Sequence, residues 1–264
     1  MIRALADISL PRALREPVFG PIAERIGMNL GEAELSLSDY DSFGELFVRR
    51  LRDGQRPIDA TDGALVSPVD GCVSICGIAD GDSLVQAKGI DYSLAELVDD
   101  AALAERLQGG AYTTIYLRPK DYHRIHTPVS GRIVSSRRVG AELFPVQPSV
   151  VRNLRGLFAR NERVVIEIES DEVGVMALIA VGATAVGCIT TVFGAPDGYR
   201  RYDPPIEIEK GDEVAAFNLG STVILLCERG RAAFDVTPLQ EVRVGQVIGS
   251  AEPAMARRRA GGGE

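Results

Sequence analysis

Apolar residues recur at helix-like spacing between residues 9 and 28, where Leu10, Leu14, Val18, Ile22 and Ile26 alternate with Arg and Glu. That spacing predicts an amphipathic helix. Pro11, Pro17 and Pro21 predict that it is broken into short pieces. The segment reads either as an arm packed on the body or as a foot lying in a lipid interface. Residues 43–52 predict a second helix with an apolar stripe and an arginine-rich last turn. There, positive charge would suit the helix dipole or meet anionic head groups. A third helix is predicted over 94–107. Ser93 and Glu96 have capping-box spacing, Leu94, Leu97, Val98, Ala101, Ala104 and Leu107 share a face, and Gly109-Gly110 follows.

Elsewhere the pattern shortens. Strands are predicted at Thr113–Leu117, Arg132–Val139, Arg163–Glu169, Val175–Val181, Ala185–Val192, Ser221–Leu226 and Ala232–Val236. Turn signals such as Asp70-Gly71, Pro196-Asp197-Gly198 and Lys210-Gly211-Asp212 separate them. The pattern describes an α+β chain. Residues 1–42 form a helical extension, 43–250 one β-rich domain, and 251–264, with Arg257–Arg259 and Gly261–Gly263, a flexible tail.

Composition narrows the function. The chain has 264 residues, 45% apolar and 25% charged, as expected of a soluble globular protein. A net charge of -8 argues against nucleic acid as a partner, although Arg49, Arg50, Arg52 and Arg56 cluster in the sequence. Cys72 and Cys76 are spaced C-x-x-x-C, but no second pair or histidine completes a zinc set. The four cysteines are expected as buried apolar residues in a reducing compartment, with no metal. Residues 1–20 lack the apolar run of a signal peptide, and no stretch is long enough to span a bilayer, so membrane contact is expected to be peripheral. The longest apolar run, Val173–Phe193, is interrupted by glycines and reads as buried strands.

Three short segments could carry chemistry. The two histidines of the chain, His123 and His126, lie in Asp121-Tyr122-His123-Arg124-Ile125-His126-Thr127-Pro128. Pro119 and Pro128 favour an extended run over a helix there. A histidine is the usual acid or base near neutral pH, though these two could equally be polar loop residues. Ser67-Pro68-Val69-Asp70-Gly71 is a turn signal in its own right. Leu219-Gly220-Ser221-Thr222 lies between apolar runs and could be a bulge. It also places a hydroxyl one residue after an unhindered glycine carbonyl, which suits an N-to-O acyl shift. Such a hydroxyl needs a base, and the base an orienting carboxylate, roles that His126 and Asp70 could fill.

Taken in order, S-P-V-D-G (67–71), Q-A-K-G with Y-S-L (86–94), D-Y-H-R-I-H-T-P (121–128), L-F-A-R-N-E-R-V (157–164), V-G-A-T-x-V-G (181–187) and L-G-S-T (219–222) resemble the phosphatidylserine decarboxylases, from about Phe43 to Ile248. Asn153–Phe158 is longer than the corresponding run of the family. The resemblance implies self-cleavage between Gly220 and Ser221. Residues 1–220 would become the β subunit and 221–264 the α subunit, headed by a pyruvoyl group made from Ser221. It implies Asp70 and His126 as the relay that activates Ser221, and His123 as the proton donor in decarboxylation. The implied substrate is phosphatidylserine, whose amine condenses with the pyruvoyl ketone before carbon dioxide leaves. The implied setting is peripheral, on the cytoplasmic side of the cell membrane, as a homodimer of paired α and β fragments. The implied fold is a β-rich core like the lipoyl/biotinyl hybrid barrels. Three other readings compete: a Ser-His-Asp hydrolase, a non-enzymatic lipoyl-like binding module built on Lys210, and a PLP decarboxylase using Lys88, Lys120 or Lys210.

Overall fold

The computed structural model describes residues 6–87, 90–183, 189–194, 198–217 and 221–252. The tail from residue 253, Lys88 and the first part of the strand expected at Ala185–Val192 lie outside the described residues. Among the described residues, the longer helices are α1 (Arg12–Ile26), α2 (Phe43–Phe47), α3 (Leu94–Val98) and α4 (Ala101–Leu107). The first eight strands are β1 (Ala64–Val66), β2 (Gly71–Ile78), β3 (Ser83–Ala87), β4 (Ile90–Ser93), β5 (Ala111–Leu117), β6 (Arg124–His126), β7 (Gly131–Val139) and β8 (Arg163–Ser170). They are followed by β9 (Gly174–Val181), β10 (Ile189–Thr191), β11 (Tyr199–Ile208), β12 (Glu213–Phe217), β13 (Ser221–Cys227), β14 (Ala232–Phe234), β15 (Glu241–Val242) and β16 (Val247–Ala251).

Eight strands form one sheet in the order β11-β7-β8-β9-β13-β5-β2-β15, and two three-stranded sheets, β1-β16-β14 and β10-β12-β6, accompany it. The middle strands of the large sheet are nearly continuous apolar runs because both faces are covered. Ile166, Leu178, Val223 and Leu225 point to one side, where they meet Ile125, Val214, Phe217 and Ile248 of the small sheets. Val165, Ile179, Ile224 and Leu226 point to the other, against Leu94, Leu97, Leu103 and Leu107 of α3 and α4. Alternate residues of β13 thus feed two different cores, the arrangement that period-two side chains produce in a central strand. The protein is β-rich, with few helices, in the α+β class.

Three expected helices differ in detail. The stretch 94–107 is two helices. Asp99 turns left-handed (φ 50°) after α3, and Asp100 caps α4 by accepting from the N–H groups of Ala102 and Leu103. Ser93 caps α3 through the Glu96 N–H, and Asp82, from a distant turn, accepts from the Ala95 N–H. The helix expected over 43–52 ends at Phe47, so Arg49–Arg52 follow it rather than form its last turn. Residues 12–26, expected in pieces, form one helix with Pro17 and Pro21 inside it. Tertiary packing outweighs the two lost N–H donors: Phe19 and Ala23 are buried against Tyr40, Leu46 and Phe47. Leu14, Val18 and Ile22, one turn apart, are left 51%, 41% and 40% exposed. None of the described helices is long and apolar enough to cross a membrane.

Candidate active site

Ser221 opens β13. It lies opposite Leu117 of β5, while the next residue, Thr222, faces Val181 of β9. Hydrogen-bonded neighbours on both sides hold the backbone rigidly. The side chain points to the same face as Val223 and Leu225, toward the β6–β12 layer. Ser221 is fully buried, and its Oγ has no hydrogen-bond partner among the described residues. Gly220, the other half of the expected cleavage site, lies outside the described residues.

After β5 the chain turns sharply. Asp121 fixes this turn by accepting from the Arg118 backbone N–H at 2.8 Å and from its Nε at 2.9 Å. The turn places His123 just before β6 and His126 at its end, in an extended run as expected between two prolines. His123 accepts on its backbone oxygen from the Phe217 N–H (2.9 Å), at the end of β12, four residues before Ser221. Its Nδ1 lies 2.8 Å from the Asp121 carbonyl oxygen. A carbonyl can only accept, so Nδ1 carries the proton and Nε2 keeps a bare lone pair. That Nε2 is buried and has no partner among the described residues. The ring sits 4.1 Å from the ring of Phe47. Burial, assisted by the nearby Arg49 charge, pushes the imidazole pKa down to about 3, so His123 is neutral at any physiological pH.

His126 is held differently. It pairs with Glu213 across β12, farther from Ser221 along the chain. Its Nδ1 donates to the Gly211 carbonyl at 2.7 Å, and its Nε2 accepts from the Tyr122 hydroxyl at 3.2 Å. Burial also lowers its pKa, opposed by the Gly211 carbonyl and by the charges of Glu213 and Asp70.

Asp70 is buried just before β2. Its neighbour must be glycine, since a Cβ at Gly71 would fall 2.6 Å from the Tyr116 carbonyl oxygen. The Asp70 carboxylate accepts from Arg56 Nε at 2.9 and 3.0 Å, from Arg56 Nη2 at 2.5 Å, and from the Val244 N–H at 2.9 Å. The expected relay of Asp70 through His126 to Ser221 is therefore not joined by hydrogen bonds. Asp70 is bound to Arg56 and reaches His126 only through space, while both nitrogens of His126 are engaged elsewhere. The basic cluster also needs correction. Arg56 is committed to Asp70 and Glu32, and Arg49 is buried. Only Arg50 and Arg52 are exposed, and Arg50 leans on Glu213 at 3.3 Å.

Sequence reasoning passed over Tyr122 and Arg56. Tyr122 lies inside the histidine segment, but nothing in its spacing says that its hydroxyl meets His126. Arg56 counted only as one charge in a cluster. Lys210, the attachment point of the lipoyl-like reading, has its Nζ tied to the carbonyls of Thr61 (2.8 Å) and Ala64 (3.1 Å).

The comparisons with known proteins agree with one another. The family model described as phosphatidylserine decarboxylase matches residues 43–250. A protein named phosphatidylserine decarboxylase proenzyme from Anaeromyxobacter sp. (strain K) is 46% identical over 262 residues, covering 95% of this chain and 92% of that one. One of the same name from Myxococcus xanthus (strain DK1622) is 40% identical over 251 residues, 92% and 89% of the two chains. Another, from Halorhodospira halophila, is 44% identical over 246 residues, 89% and 84%. The family is pyruvoyl-dependent. With its six motifs in order, a sealed serine at the head of a central strand and relatives matched over nearly their whole length, the chain belongs to the phosphatidylserine decarboxylase family.

Proposed function

We infer that the chain cleaves itself between Gly220 and Ser221 and then decarboxylates phosphatidylserine to phosphatidylethanolamine and carbon dioxide. One observation carries the first step: Ser221 Oγ and His123 Nε2 are both buried and unpartnered among the described residues, and the His123 backbone is bonded to Phe217, four residues before Ser221. A buried polar atom without a partner costs about 1–3 kcal/mol, so two such atoms call for a functional reason. A neutral imidazole with a free lone pair is the base that a serine hydroxyl needs. His123 Nε2 takes the Ser221 proton, Oγ bonds to the Gly220 carbonyl carbon, and the Gly220–Ser221 amide becomes an ester. Loss of the Cα proton breaks the Cβ–O bond. Residues 1–220 then end in a carboxylate, and hydrolysis with loss of ammonia leaves a pyruvoyl group at position 221.

Position 221 fits such a group. It is buried, and among the described residues no protein group is bonded to the oxygen that departs. Once formed, the group supplies a ketone that condenses with the substrate amine and accepts the electrons released with carbon dioxide. His126, half-buried and with the Tyr122 hydroxyl at its Nε2, can pass a proton along that hydrogen bond and serves the decarboxylation. Asp70 and Arg56 fix the β2 end of the site and bias His126 electrostatically. The two fragments stay together because β13 is bonded to β9 and β5 on either side, and β16 lies between β1 and β14. The hydrolase reading is disfavoured, since such a serine sits on a sharp strand-to-helix elbow and Ser221 opens a central strand. Purified protein should separate under denaturing conditions into residues 1–220 and 221–264 and release carbon dioxide from phosphatidylserine in micelles. An active preparation containing one intact chain would sink the reading.

The exposed Leu14–Val18–Ile22 stripe supports peripheral attachment to a membrane surface. If each side chain buries about half its surface in lipid, the three contribute roughly 3 kcal/mol together, or about 100-fold in partitioning. Neutralising Arg50 and Arg52 removes about 1 kcal/mol each at most. The triple variant Leu14→Ser, Val18→Ser, Ile22→Ser should therefore lose flotation with phosphatidylserine vesicles, and the arginine variant should lose only part. Equal flotation of wild type and triple variant would place the contact elsewhere.

A further inference from the structure

A cleft of about 230 Å³ opens beside the Asp121 turn, with Asp70, Asp121 and Tyr122 in its wall. Gly27 and Asn29, just past α1, form part of its rim. Most of its charges are matched. Arg56 binds Asp70 and Glu32, and Arg118 binds Asp121 and Glu241. Three cations lining the same cleft are not. Lys120 has no acidic partner within ion-pair distance among the described residues, and Arg243 approaches Glu32 only to 3.9 Å while remaining 69% exposed. Arg49 is 3% exposed, and only its Nη2 is bonded, to the Lys120 carbonyl at 3.2 Å. Its Nε and Nη1 are buried with no partner among the described residues. A buried guanidinium with idle donors is costly unless an anion supplies acceptors.

We propose that this cleft is a phosphate site, in which Lys120, Arg243 and, at the floor, Arg49 take the phosphodiester of the lipid headgroup. The proposal rests on the decarboxylase reading above and names the substrate-recognition part of that site. A phosphodiester keeps one negative charge over two free oxygens, the shape that guanidinium and ammonium groups hold well. The serine carboxylate is the wrong occupant, because gripping it in the ground state would oppose loss of carbon dioxide. The placement also suits a lipid. Ile22, the last exposed apolar residue of α1, is about 7.5 Å along the helix axis from Gly27 at the rim, so the apolar stripe runs toward the cleft. Arg49 lies close enough for its charge to be felt at His123.

The test uses the processed enzyme in neutral-detergent micelles containing phosphatidylserine. Lys120→Met and Arg243→Gln should each raise KM several-fold, and the pair about 20-fold, with a much smaller fall in kcat. Vesicle flotation should not change. Soluble glycerophosphoserine should compete with the lipid in wild type and lose potency in the pair. Arg49→Met should behave like the pair and Arg49→Lys should recover part of the affinity. If Arg49→Met does not self-cleave, the Lys120 and Arg243 variants decide alone. An unchanged KM in the pair overturns the site, as does a KM rise that merely follows lost flotation. Competition by inorganic phosphate with unchanged lipid KM would make it a free-phosphate site and overturn the headgroup assignment. Wild type that neither cleaves nor decarboxylates would instead defeat the underlying reading.

Discussion

A Ser221→Ala chain will fold, run as one polypeptide of 28.3 kDa and release no carbon dioxide from phosphatidylserine above the uncatalysed background. The loss is complete because the hydroxyl is both the nucleophile of cleavage and the source of the pyruvoyl group. Folding should not suffer. Ser221 Oγ makes no hydrogen bond among the described residues, so its removal orphans nothing and relieves a buried polar atom. Stability of the variant should equal that of a wild-type chain before cleavage or exceed it by about 1 kcal/mol. The β13 pairings to β5 and β9 use backbone groups alone and survive the change. Denaturing gels, intact mass and a urea titration read all three quantities. A variant that is cut, or one that stays whole and decarboxylates, would remove Ser221 from the chemistry. A variant that fails to fold would mean that the hydroxyl has a structural partner.

The parts of this protein that are legible in its sequence are those in which local pattern and tertiary environment agree. Strands β5, β8, β9 and β13 are largely apolar because both faces of the sheet are covered, so their runs alone locate them. β11 is hidden because Pro204 and Pro205 interrupt it. An edge strand tolerates them, with its register slipping between Arg201 and Ile206. β2 and β6 carry few contiguous apolar residues and exist because neighbours pair with them. The break at Asp99 is hidden for a different reason. The apolar spacing continues across it, and only a left-handed residue followed by a fresh Asp100 cap reveals two helices. The reactive residues are visible through motif order, but their connections are not. Which carboxylate faces Arg56, or which imidazole keeps a free nitrogen, depends on partners far away in sequence, such as Gly211 and Val244.

Those distant partners give the two histidines different surroundings. Motif position alone pairs His126 with Ser221 and leaves His123 for decarboxylation. The geometry favours the reverse. His126 has its Nδ1 on Gly211 and its Nε2 on Tyr122, whereas His123 Nε2 is unprotonated, buried and without a partner among the described residues, and the His123 backbone is bonded to Phe217 at the end of β12. His123→Ala should therefore accumulate the intact chain, with cleavage slowed about 100-fold or more, the usual contribution of a general base. His126→Ala should cleave within about tenfold of the wild-type rate, yet its processed form should decarboxylate slowly. Alanine at 123 also leaves a space against Phe47, so added imidazole offers a control: recovered cleavage means a missing base, not lost packing. The pH dependence gives an independent readout. A base at an ordinary histidine pKa of about 6.5 would have only about 3% of its free form left at pH 5. With its pKa pushed down to about 3 by burial, His123 stays unprotonated there, so cleavage of wild type should hardly slow between pH 8 and pH 5. A thirtyfold decline over that range would mean a base at an ordinary histidine pKa and would overturn the assignment to His123. Intact chain accumulating in His126→Ala, with normal cutting in His123→Ala, would return the assignment to motif position.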